Sequence, residues 1–155
     1  MRFAVLHHTG WPGRPDHYDL LLQLEEGGSD DARVLKAFAT ATDEFPLAPC
    51  PNALPQGEVG AARPSWPCDT GWKPVPLRLL PDHRRIYLRF EGPVAGNRGQ
   101  VRRVDEGEFG LLRPLEPGLS EINMRLSGTR LKGLFVLRHL GEGLYSFASS
   151  GSCTK

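Results

Sequence analysis

The chain has 155 residues, the length of one domain with room for a core that needs no metal or disulfide support. With 39% hydrophobic and 24% charged residues it is not a disordered chain, and no apolar run nears the roughly 20 residues of a membrane helix. The net charge of +1 excludes a global basic field for nucleic acid, so any such binding has to come from a local patch.

The start, MRFAVLHHTGW, has too short an apolar run for a signal peptide, so a cytoplasmic location is expected. Cys50, Cys68 and Cys153 are odd in number and contain no Cys-x-x-Cys pair. That spacing argues against a zinc ribbon and for free thiols in a reducing compartment.

With 18 Gly and 14 Pro, long helices are disfavoured. Short runs with period-two alternation recur between turn signals, the pattern of an all-β barrel or sandwich. The first run is Phe3 to His8, followed by the Gly/Pro-rich connection TGWPGRPD. In the second, residues 17 to 25, Tyr18, Leu20, Leu22 and Leu24 share a core face, with His17, Asp19, Leu21 and Gln23 on the other. Val34 to Thr40 is its expected hairpin partner across a tip at 26 to 33. Residues 43 to 76 hold eight of the 14 prolines and are expected to form a long loop. Regular structure resumes as a strand at Arg85 to Phe90, then QVRRVDEGEF, INMRLSG, LKGLFVLRHL and LYSFAS follow as strands. Leu131 to Leu140 is mostly apolar and reads as a central strand buried on both faces. The expected fold is mainly β: one domain over 1–150, a small closed or partly open barrel with short helices and the Pro-rich loop, then a tail at 151–155.

Histidine placement carries the chemistry. His17 and Asp19 are two apart on a strand, so they face the same way with Cα atoms about 6.6 Å apart, and side chains at that separation can converge on one cation. A third ligand from the first strand would complete a two-imidazole, one-carboxylate set with open positions for water and substrate. Such donors suit Mn²⁺, Zn²⁺ or Fe²⁺ better than Ca²⁺ or Mg²⁺. Strand parity gives His7 to one face and His8 to the other without choosing between them. A surface hydrogen-bonded pair is the bland alternative for His17 and Asp19.

FAVLHH followed by DHYDLLLQLE resembles the 3′-phosphoesterase domain family of bacterial DNA ligase D, where a strand ending in His precedes a Leu-rich His-Tyr-Asp strand. VLKAFAT, DHRRIYLRFEGPVAGNRGQVRRVDEGEF and TRLKGLFVLRHL are similar to later family segments in the same order. The resemblance covers most of the chain apart from the Pro-rich middle. It implies His8, His17 and Asp19 as metal ligands, with a divalent metal, manganese or alternatively zinc. It also implies His83 and Tyr87 as the residues facing the scissile phosphate. Arg84 and Arg85, from the basic run that follows His83, are read beside them as phosphate-binding positions. The activity implied is removal of a 3′-phosphate or a terminal ribonucleoside from DNA 3′ ends or a primer–template. A monomer working beside a separate ligase and polymerase of end joining is the implied setting.

Departures from the pattern are specific. Leu21 stands where the family has a phosphate-gripping Arg, and Thr42 where it has a Lys. A further family Arg falls near Val75, with Lys73 and Arg78 as substitutes. Arg84, Arg85, Arg89, Arg98, Arg102 and Arg103 are expected to cluster in one hairpin, where alternation splits them between faces, so that about half could track a phosphate backbone. A solvated hairpin whose charges blunt its edge is the alternative. A non-catalytic module that binds metal and DNA ends is the alternative that Leu21 and Thr42 favour. A metal-dependent oxygenase could use the same donor set, but the order of the four segments argues against it.

Overall fold

Strand alternation is realised as a closed barrel. The computed structural model describes residues 1–45 and 74–149. The strands are β1 (Arg2–Thr9), β2 (His17–Gln23), β3 (Leu35–Thr40), β4 (Val75–His83), β5 (Gly92–Pro93), β6 (Gln100–Leu111), β7 (Glu121–Gly128), β8 (Lys132–Gly141) and β9 (Leu144–Ser149). Eight of them pair antiparallel in the order β1-β2-β3-β4-β9-β8-β7-β6, and β6 returns to β1 to close the ring. The two-residue β5 lies outside the ring, paired with the start of β6. Two 3₁₀ turns, η1 (Arg85–Leu88) and η2 (Pro117–Leu119), complete the described elements. No helix among the described residues is long and apolar enough to cross a membrane.

All eight ring strands send alternate side chains inward, among them Phe3, Leu20, Phe38, Leu77, Phe109, Met124, Phe135 and Phe147. A second core lies on the outside of β1 to β3. There Ala4, Leu6, Leu21, Leu35 and Ala37 are roofed by Leu88, Val94 and Val101. The unbroken LLL of β2 follows from this arrangement, because a strand covered on both faces has no solvent side to alternate with. The strands buried on both faces are therefore β1 to β3, and β8 is not among them. In β8 only Phe135 and Leu137 are buried, and Leu140 is 58% exposed.

Two further expectations are corrected. Val75–His83 is a ring strand, so the Pro-rich loop ends earlier than residue 76. Its prolines hid it: Pro81 sits where the β3–β4 register shifts between Leu35 and Ala37, a bulge that needs no ladder N–H. The stretch expected as a strand at 85–90 contains η1 instead, and Leu88 is buried against the sheet. Tertiary contacts override the alternation here. The Arg85 and Ile86 amides donate to the Ala32 and Asp30 carbonyls. Arg84 pairs with Asp31, and Arg85 and Arg89 with Asp30. The β2–β3 connection thus holds the roof over the outer core. The rest of the expected Pro-rich loop, 46–73, and the tail at 151–155 lie outside the described residues.

Candidate metal centre

His8 and His17 are direct cross-strand partners, and Asp19 lies one pleat further along β2, opposite Leu6. Antiparallel pairing and period two therefore put all three on the outer face of the sheet. They are 7%, 2% and 2% exposed. One donor atom from each lies within 4.8 Å of the others, so this buried group could hold a metal ion. His7 points the other way, stacks on Tyr18 at 4.4 Å and pairs with Asp43. Parity had left the choice open; pairing with β2 decides for His8.

The outer nitrogens of both rings are committed. His17 Nδ1 lies 2.9 Å from the Pro15 carbonyl, and His8 Nε2 contacts the Arg98 carbonyl. A carbonyl only accepts, so each of those nitrogens carries a proton. In the neutral rings, the lone pairs on His17 Nε2 and His8 Nδ1 are then left toward Asp19. His8 Nδ1 is 3.6 Å from Asp19 Oδ2. His17 Nε2 is 3.4 Å from Asp19 Oδ1, within ion-pair range but not aligned for a hydrogen bond, and both atoms are buried without a hydrogen-bond partner. Three acceptors converging in a buried site favour a cation between them, either a proton or a metal ion. Carbonyl-anchored imidazoles are also how metal-binding histidines are held in one tautomer.

Asp105, the other buried acid among the described residues, shows the contrast. Its carboxylate accepts from the Thr129, Arg130 and Leu131 amides and so closes the β7–β8 turn. Asp19 has only histidines. Burial would push the Asp19 carboxyl up, but His17 and His8, with a smaller contribution from His83, outweigh it and hold it at about 2. Burial likewise pulls His17 down, yet Asp19 and the Pro15 carbonyl leave its pKa raised.

The triad forms the floor of a cleft of about 420 Å³. His83, Tyr87 and Arg84 line the same cleft. His83 ends β4, with its Nδ1 2.9 Å from the Pro81 carbonyl and its ring 5.7 Å from that of Tyr87. Tyr87 rides on η1, and the Arg84 guanidinium lies 5.6 Å from its ring. Arg85 is not in the cleft; it turns to Asp30 at 3.7 Å. Nor do the six arginines make one hairpin, since Arg84, Arg85 and Arg89 lie on or beside η1 and are bound by acids, while Arg103 pairs with Glu106. Leu21 is fully buried in the outer core, and Thr42 is exposed. Arg78 is exposed outside the cleft, across Ala39 from Asp19. Lys73 lies outside the described residues.

Trp11, Arg14 and Arg33 line the cleft and escaped the sequence reading, while Arg98, expected in the basic hairpin, lines it as well. One signal was available, because a loop joining two ligand-bearing strands, here GWPGRPD, has to pass the site. Four arginines face two carboxylates in the cleft, Asp19 and Asp82, and Asp82 is already paired with Lys36 at 3.0 Å. The cleft therefore carries an excess of positive charge beside the buried triad. No protein-family model matches the chain. No curated protein matches it either.

Proposed function

We propose that this protein is a metal-dependent phosphoesterase acting on DNA 3′ ends in the cytoplasm, removing a 3′-phosphate or a terminal ribonucleoside during end-joining repair. The observation that carries the reading is the convergence of His8, His17 and Asp19 on one point in a cleft that also holds His83, Tyr87 and an excess of arginines. The resemblance to the DNA ligase D phosphoesterase family supplies the substrate class and the setting, a monomer beside a separate ligase and polymerase.

His8, His17 and Asp19 would hold the ion, which we assign as Mn²⁺, with Zn²⁺ the alternative these donors accept. When bound, it would supply Lewis-acid polarisation of a phosphoryl oxygen and a lowered pKa for water. The chain's own groups do the rest. The Pro15 and Arg98 carbonyls fix the two imidazoles, so the ligand nitrogens need no reorganisation on binding. His83 has its Nδ1 anchored on the Pro81 carbonyl, which leaves Nε2 to exchange a proton with the leaving 3′ oxygen. Tyr87, packed edge-to-face on Phe90, orients the phosphate.

The test is a 3′-end hydrolysis assay on primer–templates ending in a 3′-phosphate or one ribonucleotide, with Mn²⁺, Zn²⁺ or chelator. Metal-dependent trimming that His17→Ala abolishes is the expected result. A second reading, a catalytically inactive module that binds metal and DNA ends, is favoured by the apolar, fully buried Leu21 at a position expected to grip phosphate. Retained metal and DNA binding without turnover would select it.

A further inference from the structure

The arginines around the cleft fall into two groups. Arg84 has an acid partner, Asp31 at 3.3 Å. Arg14, Arg33 and Arg98 line the cleft and make no ion pair among the described residues. Arg98 is turned back on its own loop, its Nε donating to the Ala95 carbonyl, whereas the contacts of Arg14 and Arg33 leave guanidinium N–H groups free. Arg14 comes from the β1–β2 loop, where its amide donates to the Trp11 carbonyl and Asp16 accepts from the Gly10 amide. Its guanidinium lies 4.8 Å from the Trp11 ring centre, and Trp11 in turn stacks on the ligand histidine His8 at 5.2 Å. Cation–π contact of this kind orients a guanidinium without neutralising it. Arg33 comes from the β2–β3 loop and donates one N–H to the Asp82 carbonyl, beside His83. A guanidinium carries five donors in a fork that matches phosphate oxygens, so most of Arg33's remain for a ligand.

We infer that Arg14 and Arg33 form the phosphate clamp of this cleft, two cations entering from separate loops, with Trp11 as the positioning residue that holds Arg14 over the metal centre. The inference rests on the phosphoesterase reading for the identity of the ligand, a terminal phosphate monoester. Its own basis is the pairing pattern: the arginines expected to bind phosphate, Arg84 and Arg85, are tied to Asp31 and Asp30, whereas Arg14 and Arg33 keep their charge available.

The experiment is calorimetric titration of the full chain with a short deoxyoligonucleotide ending in 3′-phosphate and with its 3′-hydroxyl counterpart. Each titration is run once in chelator and once in Mn²⁺. Melting with and without Mn²⁺ reports the metal centre separately. Wild type should prefer the phosphorylated end even in chelator. Arg14→Gln with Arg33→Gln should reduce that preference about tenfold or more, while the Mn²⁺ melting shift stays. Arg89→Gln removes one positive charge outside the cleft and should leave the preference in place. Trp11→Ala should weaken the preference and Trp11→Phe restore it, a rescue that simple loop collapse would not give. An unchanged preference in the double variant, or none in wild type, overturns the clamp. Loss of the preference in the double variant with no Mn²⁺ shift in any form sustains the clamp and overturns the metal-dependent reading instead.

Discussion

His17 Nε2 and Asp19 Oδ1 face each other at 3.4 Å inside the protein, and neither makes a hydrogen bond. Leaving buried polar atoms unpaired costs about 1–3 kcal/mol each, so a fold keeps such a pair only where something else uses it. A cation between them answers the cost and gives the first prediction. At a concentration about a hundredfold above its dissociation constant, Mn²⁺ should stabilise the protein by about 2.7 kcal/mol, a rise of roughly 5–10 °C in melting temperature. His17→Ala or Asp19→Asn should abolish most of the rise. A full shift in either variant, read by thermal melting, would place the ion elsewhere.

The pH dependence of the metal-free protein follows from the same pair. Asp19 is depressed from 3.8 to about 2, so its contribution is present above pH 4 and disappears as pH falls from about 4 to about 2. The contribution is on the order of 2 kcal/mol. His17 is raised, so its contribution is full below its ordinary value of 6.5 and fades as pH climbs through the higher folded value. Urea unfolding in chelator should show stability falling in both directions. With Mn²⁺ bound the alkaline decline should vanish, because the metal takes the place of the proton. An alkaline limb identical with and without metal would refute the exchange.

Leu21 offers a third test. It is fully buried with Leu35, Ala37 and Leu88 under the η1 roof. Leu21→Arg should destabilise the fold by about 3 kcal/mol or more through an unpaired buried charge, and should not raise phosphate affinity. Unfolding midpoints in urea measure it. Improved phosphate binding at unchanged stability would mean that the roof opens to admit the side chain.

Asp105→Ala separates a structural acid from a functional one. Three backbone amides lose their acceptor at the β7–β8 turn, so a loss of about 3 kcal/mol is expected. Mn²⁺ affinity of the folded variant should match wild type. A large drop in affinity would tie the turn to the metal centre.

The strands β1 to β3 and β6 to β9 were legible because alternation between Gly turns is a local signal, and the shared face of His17 and Asp19 follows from the same period. Strand β4 was not, since Pro76 and Pro81 read as loop until a bulge and an antiparallel partner are known. The roof was not either: RIYLRF alternates well enough to pass for a strand. The β2–β3 loop, more than 50 residues earlier, holds it in a turn through Asp30, which pairs with Arg85 and Arg89, and through the Asp30 and Ala32 carbonyls.

By itself, then, the sequence determined a β architecture and a carboxylate and imidazole on one strand face, because both are set by neighbours two residues apart. Tertiary structure alone decided the rest. It chose His8 over His7 through the pairing of β1 with β2, and closed the barrel through β1 and β6. The carbonyls of Pro15 and Arg98 fix the rings, and Trp11, Arg14 and Arg33 reach the cleft by loops. Closure of β1 on β6, the Arg98 contact and the approach of Arg33 join residues far apart in the chain. Even the short β1–β2 connection fixes its register only once the strands pair, so spacing alone carries no information on them.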